Sequence, residues 1–262
     1  MRFPLRKKVC SAILLCLSTL THAETLTLTS LEWPPYSSAS LPQYGASVAV
    51  VSAALNAVGH NLEVEFYPWE RAVYLARHDT RYVGYFPEYF FDTDSLLFSN
   101  AIGFGPLGFV ERKDAPIHWH QLQDLKPYVI GVVRGYVNTP ALDSMIANGE
   151  LKVSLVSNDL QNLGKVGLGR ISLAVIDQHV FQYFLEHTPY LAPLKDKLQM
   201  NNKLLAEKSL YVAFNNDPTG ERWKAILNDG LQKIDIDKVM AEYFATLKQK
   251  SAETEPQYFN HQ

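Results

Sequence analysis

The sequence predicts an α/β protein made of two similar lobes joined by two crossings of the chain. Three observations lead there. Short alternating or β-branched runs recur with helical stretches between them, the pattern of largely parallel sheets. The same order restarts after a charged break at residues 111–114, and one late strand is followed by two helices with no lobe of their own.

Residues 25–32 read as a strand, and the Pro/Ser-rich stretch 33–44 as a loop. Residues 46–58 are apolar all round and end at Gly59, as expected of a buried helix with a glycine cap. A strand at 62–67, a helix at 69–78 and a strand-like run at 82–89 complete the first unit. The second unit predicts strands at 128–134, 151–157 and 173–176, alternating with helices at 140–147, 159–168 and 178–187. A strand at 209–214 precedes helices at 220–234 and 237–247.

The economical chain order is lobe 1 at 24–110, an extended crossing near 108–112, and lobe 2 at 111–210. A return crossing near 210–215 then leads to helices at 211–248 that complete lobe 1. Two crossings define a cleft with two hinge strands, and clefts between lobes are the default place for a small-molecule site. Residues 249–262 carry no hydrophobic pattern and read as a flexible tail.

Arg2, Arg6, Lys7 and Lys8 precede an apolar run at 9–20 and a short exit containing Thr21 and Ala23. That order is a secretory signal peptide over residues 1–23, cut before Glu24, and it predicts export to the periplasm. The apolar run is shorter than the about 20 residues a spanning helix needs. Cys10 and Cys16, the two cysteines of the chain, both fall in the leader. The mature protein is therefore expected to lack disulfides, thiolate nucleophiles and cysteine metal ligands. Loss of the leader leaves 20 Lys and Arg against 27 Asp and Glu. So acidic a chain lacks the electrostatic footprint of a nucleic-acid binder.

Other motifs exclude further chemistry. His118 and His120 would share one face of a strand, but no third metal ligand lies nearby. The glycines at 103–105 and 164–169 lack the strand-Gly-x-Gly-x-x-Gly-helix order that cradles a pyrophosphate. No Ser, His and acid grouping stands in a nucleophile elbow. The expectation is a monomeric binding protein with no cofactor and no metal, whose partner is a small solute.

Glu32-Trp33-Pro34-Pro35-Tyr36, Gly45 opening a helix, Pro68-Trp69-Glu70-Arg71-Ala72, and Phe98-Ser99 ahead of Gly103 stand in this order in the first half. Gly131-Val132-Val133-Arg134-Gly135 and Leu173-Ala174-Val175-Ile176-Asp177 follow in the second. The combination resembles the family 3 extracellular solute-binding proteins, the periplasmic receptors of polar amino acid ABC transporters. The resemblance spans the mature chain and implies the type II periplasmic-binding-protein-like fold with two hinge strands. It also implies that Asp177, at the end of a strand, binds a ligand ammonium. The residues alone equally allow Asp177 to cap the helix that begins at Gln178.

Trp33 and Tyr36 flank a Pro-Pro corner that fixes their loop, so one or both rings can face the cleft at low entropic cost, while either can also pack as core. Trp69 lies in the first turn of a helix. Arg71, off that helix's apolar face, either is solvated or points into the cleft as an anion clamp. The family's Thr-x-Glu-Arg pattern, whose Arg grips the ligand carboxylate, is replaced here by Tyr89-Phe90-Phe91-Asp92. Gly135 is followed by Tyr136 in place of the usual Thr or Ser. An Asp cannot do the work of an Arg in a carboxylate site, so Arg71 or Arg134 would have to replace it. Without such replacement, Glu88, Asp92 and Asp177 among Trp33, Tyr36, Trp69, Phe86, Tyr89 and Tyr136 suit an amine-bearing solute. A dehydratase-like enzyme on the same fold, with Glu88 or Asp177 as general acid or base, is the alternative, and an adaptor for a membrane signalling protein is another.

Overall fold

The structure, a computed structural model, describes residues 23–254, with side chains to residue 249. All of the leader expected at 1–23 except Ala23 lies outside the described residues. The elements are β1 (Thr25–Ser30), α1 (Ala46–Ala57), β2 (Asn61–Phe66), α2 (Trp69–His78), β3 (Gly84–Tyr89), β4 (Leu96–Phe98) and β5 (Gly103–Arg112). Then come β6 (Val129–Val133), α3 (Pro140–Ala147), β7 (Lys152–Val156), α4 (Asp159–Gly167), β8 (Leu173–Asp177) and α5 (Gln178–His187). The chain closes with β9 (Leu198–Met200), β10 (Ala206–Asn215), α6 (Pro218–Leu231) and α7 (Ile236–Thr254). No helix among the described residues is long and apolar enough to cross a membrane.

The strands form one curled sheet in the order β2-β1-β3-β10-β5-β8-β6-β7, with β4 on β10 and β9 on β5. Two parallel groups, β2-β1-β3 and β8-β6-β7, flank a central antiparallel pair. That pair, β5 and β10, runs from Leu107 opposite Ala206 to Gly103 opposite Leu210. Beyond it β10 joins the first group through β3, while β5 joins the second through β8. Both crossings therefore lie side by side, and each ten-residue strand belongs to both lobes. Strands β5 and β10 pair with each other over residues 103–107 and 206–210.

Local chemistry explains the elements that matter for the site. Helix α1 buries eight of its twelve residues because β2 and the return helices α6 and α7 pack against it. At its end, Gly59 adopts φ +82° and the His60 N–H donates to the Leu55 carbonyl, a glycine-type C-cap. Thr139, Asn158 and Asp217 cap α3, α4 and α6 through their side chains.

Glu111, the first residue of the charged break, is 2% exposed inside β5. It accepts hydrogen bonds from the Ile117 N–H, the Gln199 amide and the Asn201 amide, so it anchors the following loop from within. Helix α7 runs through Thr254, so residues 249–254, read as tail, continue the helix. Residues 255–262 lie outside the described residues.

Candidate functional site

The 33–37 segment is built as a closed turn. The Trp33 N–H donates to the Ser37 carbonyl, and the Tyr36 and Ser37 N–H groups donate back to the Trp33 carbonyl. Gly45 sits directly on the Tyr36 backbone at φ +113°, where a Cβ would overlap the Tyr36 carbonyl. The turn thus packs Trp33 against Tyr36 with ring centroids 4.8 Å apart and buries both rings.

Tyr36 reaches across to the second lobe. Its hydroxyl lies 3.3 and 3.2 Å from the two carboxylate oxygens of Asp177, and 2.8 Å from His179 Nδ1. Asp177 has its helix-capping role as well: Oδ1 accepts from the His179 N–H at 2.8 Å and the Val180 N–H at 3.2 Å. Hinge strand β5 passes against this contact at Gly105, where a side chain would overlap both the Asp177 carboxylate and the Tyr36 hydroxyl. Asp177 is 1% exposed, and burial pushes its carboxyl up to about 7 against the pull of its donors. Its acceptors are engaged by the protein itself.

A second bridge joins the lobes at Trp69. Its indole N–H donates to the Gly135 carbonyl at 2.9 Å, and its ring meets Tyr136 edge-on at 5.8 Å. Glu70 and Arg134, both well exposed, face each other at 3.9 Å beside this bridge. Exposed pairs of this kind contribute about 0–1 kcal/mol.

Between the bridges lies a chamber of about 30 Å³. Trp33, Trp69, Tyr89 and Tyr136 form its ring walls, Leu31, Pro87, Val137 and Leu210 its aliphatic ones, and Glu88 its one lining charge. Glu88 is 6% exposed and takes one protein donor, the Tyr89 N–H at 2.7 Å. Burial pushes its carboxyl up to about 8, opposed by that N–H and by the charge of Lys208. Lys208 lies over the Tyr89 ring at 4.8 Å.

Asp159, the first residue of α4, stands behind the chamber wall and is 3% exposed. Burial raises its carboxyl to about 7, while hydrogen bonding from Trp33 and Tyr136 opposes the rise. The Tyr136 hydroxyl approaches Asp159 at 3.5 Å, the long limit of a hydrogen bond. The Tyr89 hydroxyl is buried and has no hydrogen-bond partner.

The structure therefore gathers Trp33, Trp69, Glu88 and Tyr136 from the predicted set around one chamber, with Tyr36 and Asp177 as a bridge beside it. It keeps both candidate anion clamps out. Arg71 projects from the exposed side of α2 with its guanidinium over the Tyr67 ring at 5.1 Å. Arg134 is turned outward to Glu70. Asp92 is exposed on the loop after β3. His118 and His120 are exposed on a loop while Trp119 between them is buried. Asp159 is the residue that pattern reading passed over, because an acid at the first turn of a helix is ordinary dipole chemistry.

No family model matches the chain, and no curated protein matches it in sequence. Comparison with solved structures is informative about shape. An ancestral arginine-binding protein bound to arginine superposes with a TM-score of 0.68 at 14% identity, over 85% of this chain and 97% of that one. The fold is that of the two-lobed periplasmic binding proteins. An arginine third transport system periplasmic binding protein from Legionella pneumophila gives a TM-score of 0.65 at 16% identity, over 86% of this chain and 99% of that one. A histidine kinase sensor domain with similarity to periplasmic binding proteins gives 0.68 at 16% identity, over 86% and 95%.

Proposed function

We propose that the mature protein is a periplasmic solute receptor that closes its two lobes around a small polar, amine-bearing or amino-acid-like ligand, for an ABC permease or a membrane sensor. The observation that supports this reading is the chamber itself. Its aromatic walls come from both lobes, Glu88 lines it with the buried Asp159 behind the wall, and the two strands that connect the lobes run side by side, the arrangement that permits hinge closure. Buried acids without a buried cation are costly, and a site that accepts this cost in the unliganded protein is organised to recover it on binding.

Nothing in the chamber points to turnover. Its one lining acid, Glu88, is not hydrogen bonded to a second side chain that could relay a proton. The receptor reading predicts that a broad panel of amines and amino acids contains solutes that raise the melting temperature and alter the small-angle scattering profile, with no product formed. Unchanged profiles across the panel, or the appearance of product, would sink it.

A further inference from the structure

The chamber's polar groups define the kind of ligand it can satisfy. The Trp69 indole N–H is committed to the Gly135 carbonyl, and the Trp33 indole and Tyr136 hydroxyl are directed at Asp159. No arginine or lysine lines the space. A ligand carboxylate would therefore enter beside Glu88 and find no cationic partner, which the low-dielectric interior makes costly. Acceptors are in surplus instead. Glu88 has one protein donor, Asp159 has a long contact and an indole, and the Tyr89 hydroxyl has no partner although Tyr89 is 6% exposed. Carboxylates with unfilled acceptor capacity need N–H donors, and a quaternary ammonium has none. The volume of about 30 Å³ holds about two water-sized groups, the size of an ammonium with its first carbon.

Resting on the receptor reading, we propose that the chamber binds the N–H-bearing head of a compact protonated amine without a carboxylate. Glu88 is its lining counter-charge, Asp159 a second charge behind the wall that acts through Trp33 and Tyr136, the Tyr89 hydroxyl a further polar partner, and the rings of Trp33, Trp69 and Tyr136 its walls. Asp177 is not the ammonium-binding acid in this assignment, because its helix cap and Tyr36 occupy it. Lys208 is the one protein cation that the Glu88 charge senses, and it enters as a competitor for that charge.

The test is calorimetry on the mature chain at pH 8 with propylammonium, tetramethylammonium, propionate, glycine and L-arginine as probes. Propylammonium is expected to bind with an affinity of about millimolar or tighter, and tetramethylammonium and propionate not to bind. Glu88→Gln and Asp159→Asn are each expected to weaken propylammonium by about tenfold or more. Because either acid variant can disturb folding, Tyr89→Phe is the cleaner probe. It removes a hydroxyl with no partner, so it should leave the melting temperature unchanged or higher while weakening propylammonium by about fivefold.

Tetramethylammonium binding as well as propylammonium, or Tyr89→Phe retaining full affinity, would overturn the assignment. Binding of glycine or L-arginine but not propylammonium would overturn it and leave the receptor reading intact. Silence from every probe, together with unchanged scattering across a broad solute panel, would overturn both.

Discussion

Asp177 carries two duties that a sequence cannot separate. At the end of β8 it stands where the resemblance expects an ammonium-binding acid, and it also stands one residue before a helix. The structure shows it capping α5 with Oδ1 and meeting the Tyr36 hydroxyl with both oxygens. Removal of the carboxylate therefore strips a cap, at about 1 kcal/mol, while the buried Tyr36 hydroxyl keeps His179 Nδ1 at 2.8 Å as its partner. Asp177→Ala is expected to lower unfolding free energy by about 1–2 kcal/mol in urea titration. Asp177→Asn, which can still cap the helix, should retain most of the stability. If Asn is as damaging as Ala, the charge matters more than the cap and the assignment of roles made above is mistaken.

At the scale of the element, the two hinge strands decide how close the lobes can come. Gly105 lies in β5 directly against the Asp177 carboxylate and the Tyr36 hydroxyl, with no room for a methyl group. Gly105→Ala should force this bridge apart, at a cost of about 1–3 kcal/mol, and enlarge the radius of gyration of the unliganded protein in solution scattering. An unchanged radius with full stability would show that the bridge yields locally and does not set the separation.

The same scale shows what pattern reading reaches. Helices α2, α3 and α5 lie where the periodicity places them, because each has one apolar face and a proline or a polar cap at its start. The short strands β4 and β9 escape it, since three residues carry no periodicity. The burial of Glu111 is not visible in the pattern because its partners Ile117, Gln199 and Asn201 are six to ninety residues away. Trp33 and Tyr136 are legible because aromatic residues in loops are conspicuous, while Trp69 opens α2 and Tyr89 ends β3. The direction of Arg71 and the burial of Asp159 are not legible, because tertiary packing alone fixes them.

For the whole molecule, the cross-lobe acids give stability a definite dependence on pH. Glu88 is raised to about 8 and Asp159 and Asp177 to about 7, each chiefly by burial. In the unfolded chain the same groups return to about 4. Between these limits the folded state holds more protons than the unfolded one. The contribution is fully present below about pH 4 and is lost as pH rises through 7 and 8. Each group changes stability by up to about 1.4 kcal/mol per pH unit in that window. The charge of Asp159 adds a small further upward push to Asp177.

His179 opposes the trend at lower pH. Its desolvated imidazole is depressed below its ordinary value, so stability is lost through this group as pH falls below about 6.5. The clean window is therefore the upper one. The melting temperature of the unliganded protein should climb as pH is lowered from 8.5 to 6.5, and Glu88→Gln should flatten the upper half of that climb. A bound protonated amine reverses the sign, because it stabilises the ionised acids. Affinity for propylammonium should therefore increase from pH 6 to pH 8, while the unliganded protein becomes less stable over the same range. Melting curves recorded with and without the amine at each pH measure both slopes together. Parallel slopes would mean that the acids which destabilise the empty cleft are not the ones that meet the ligand.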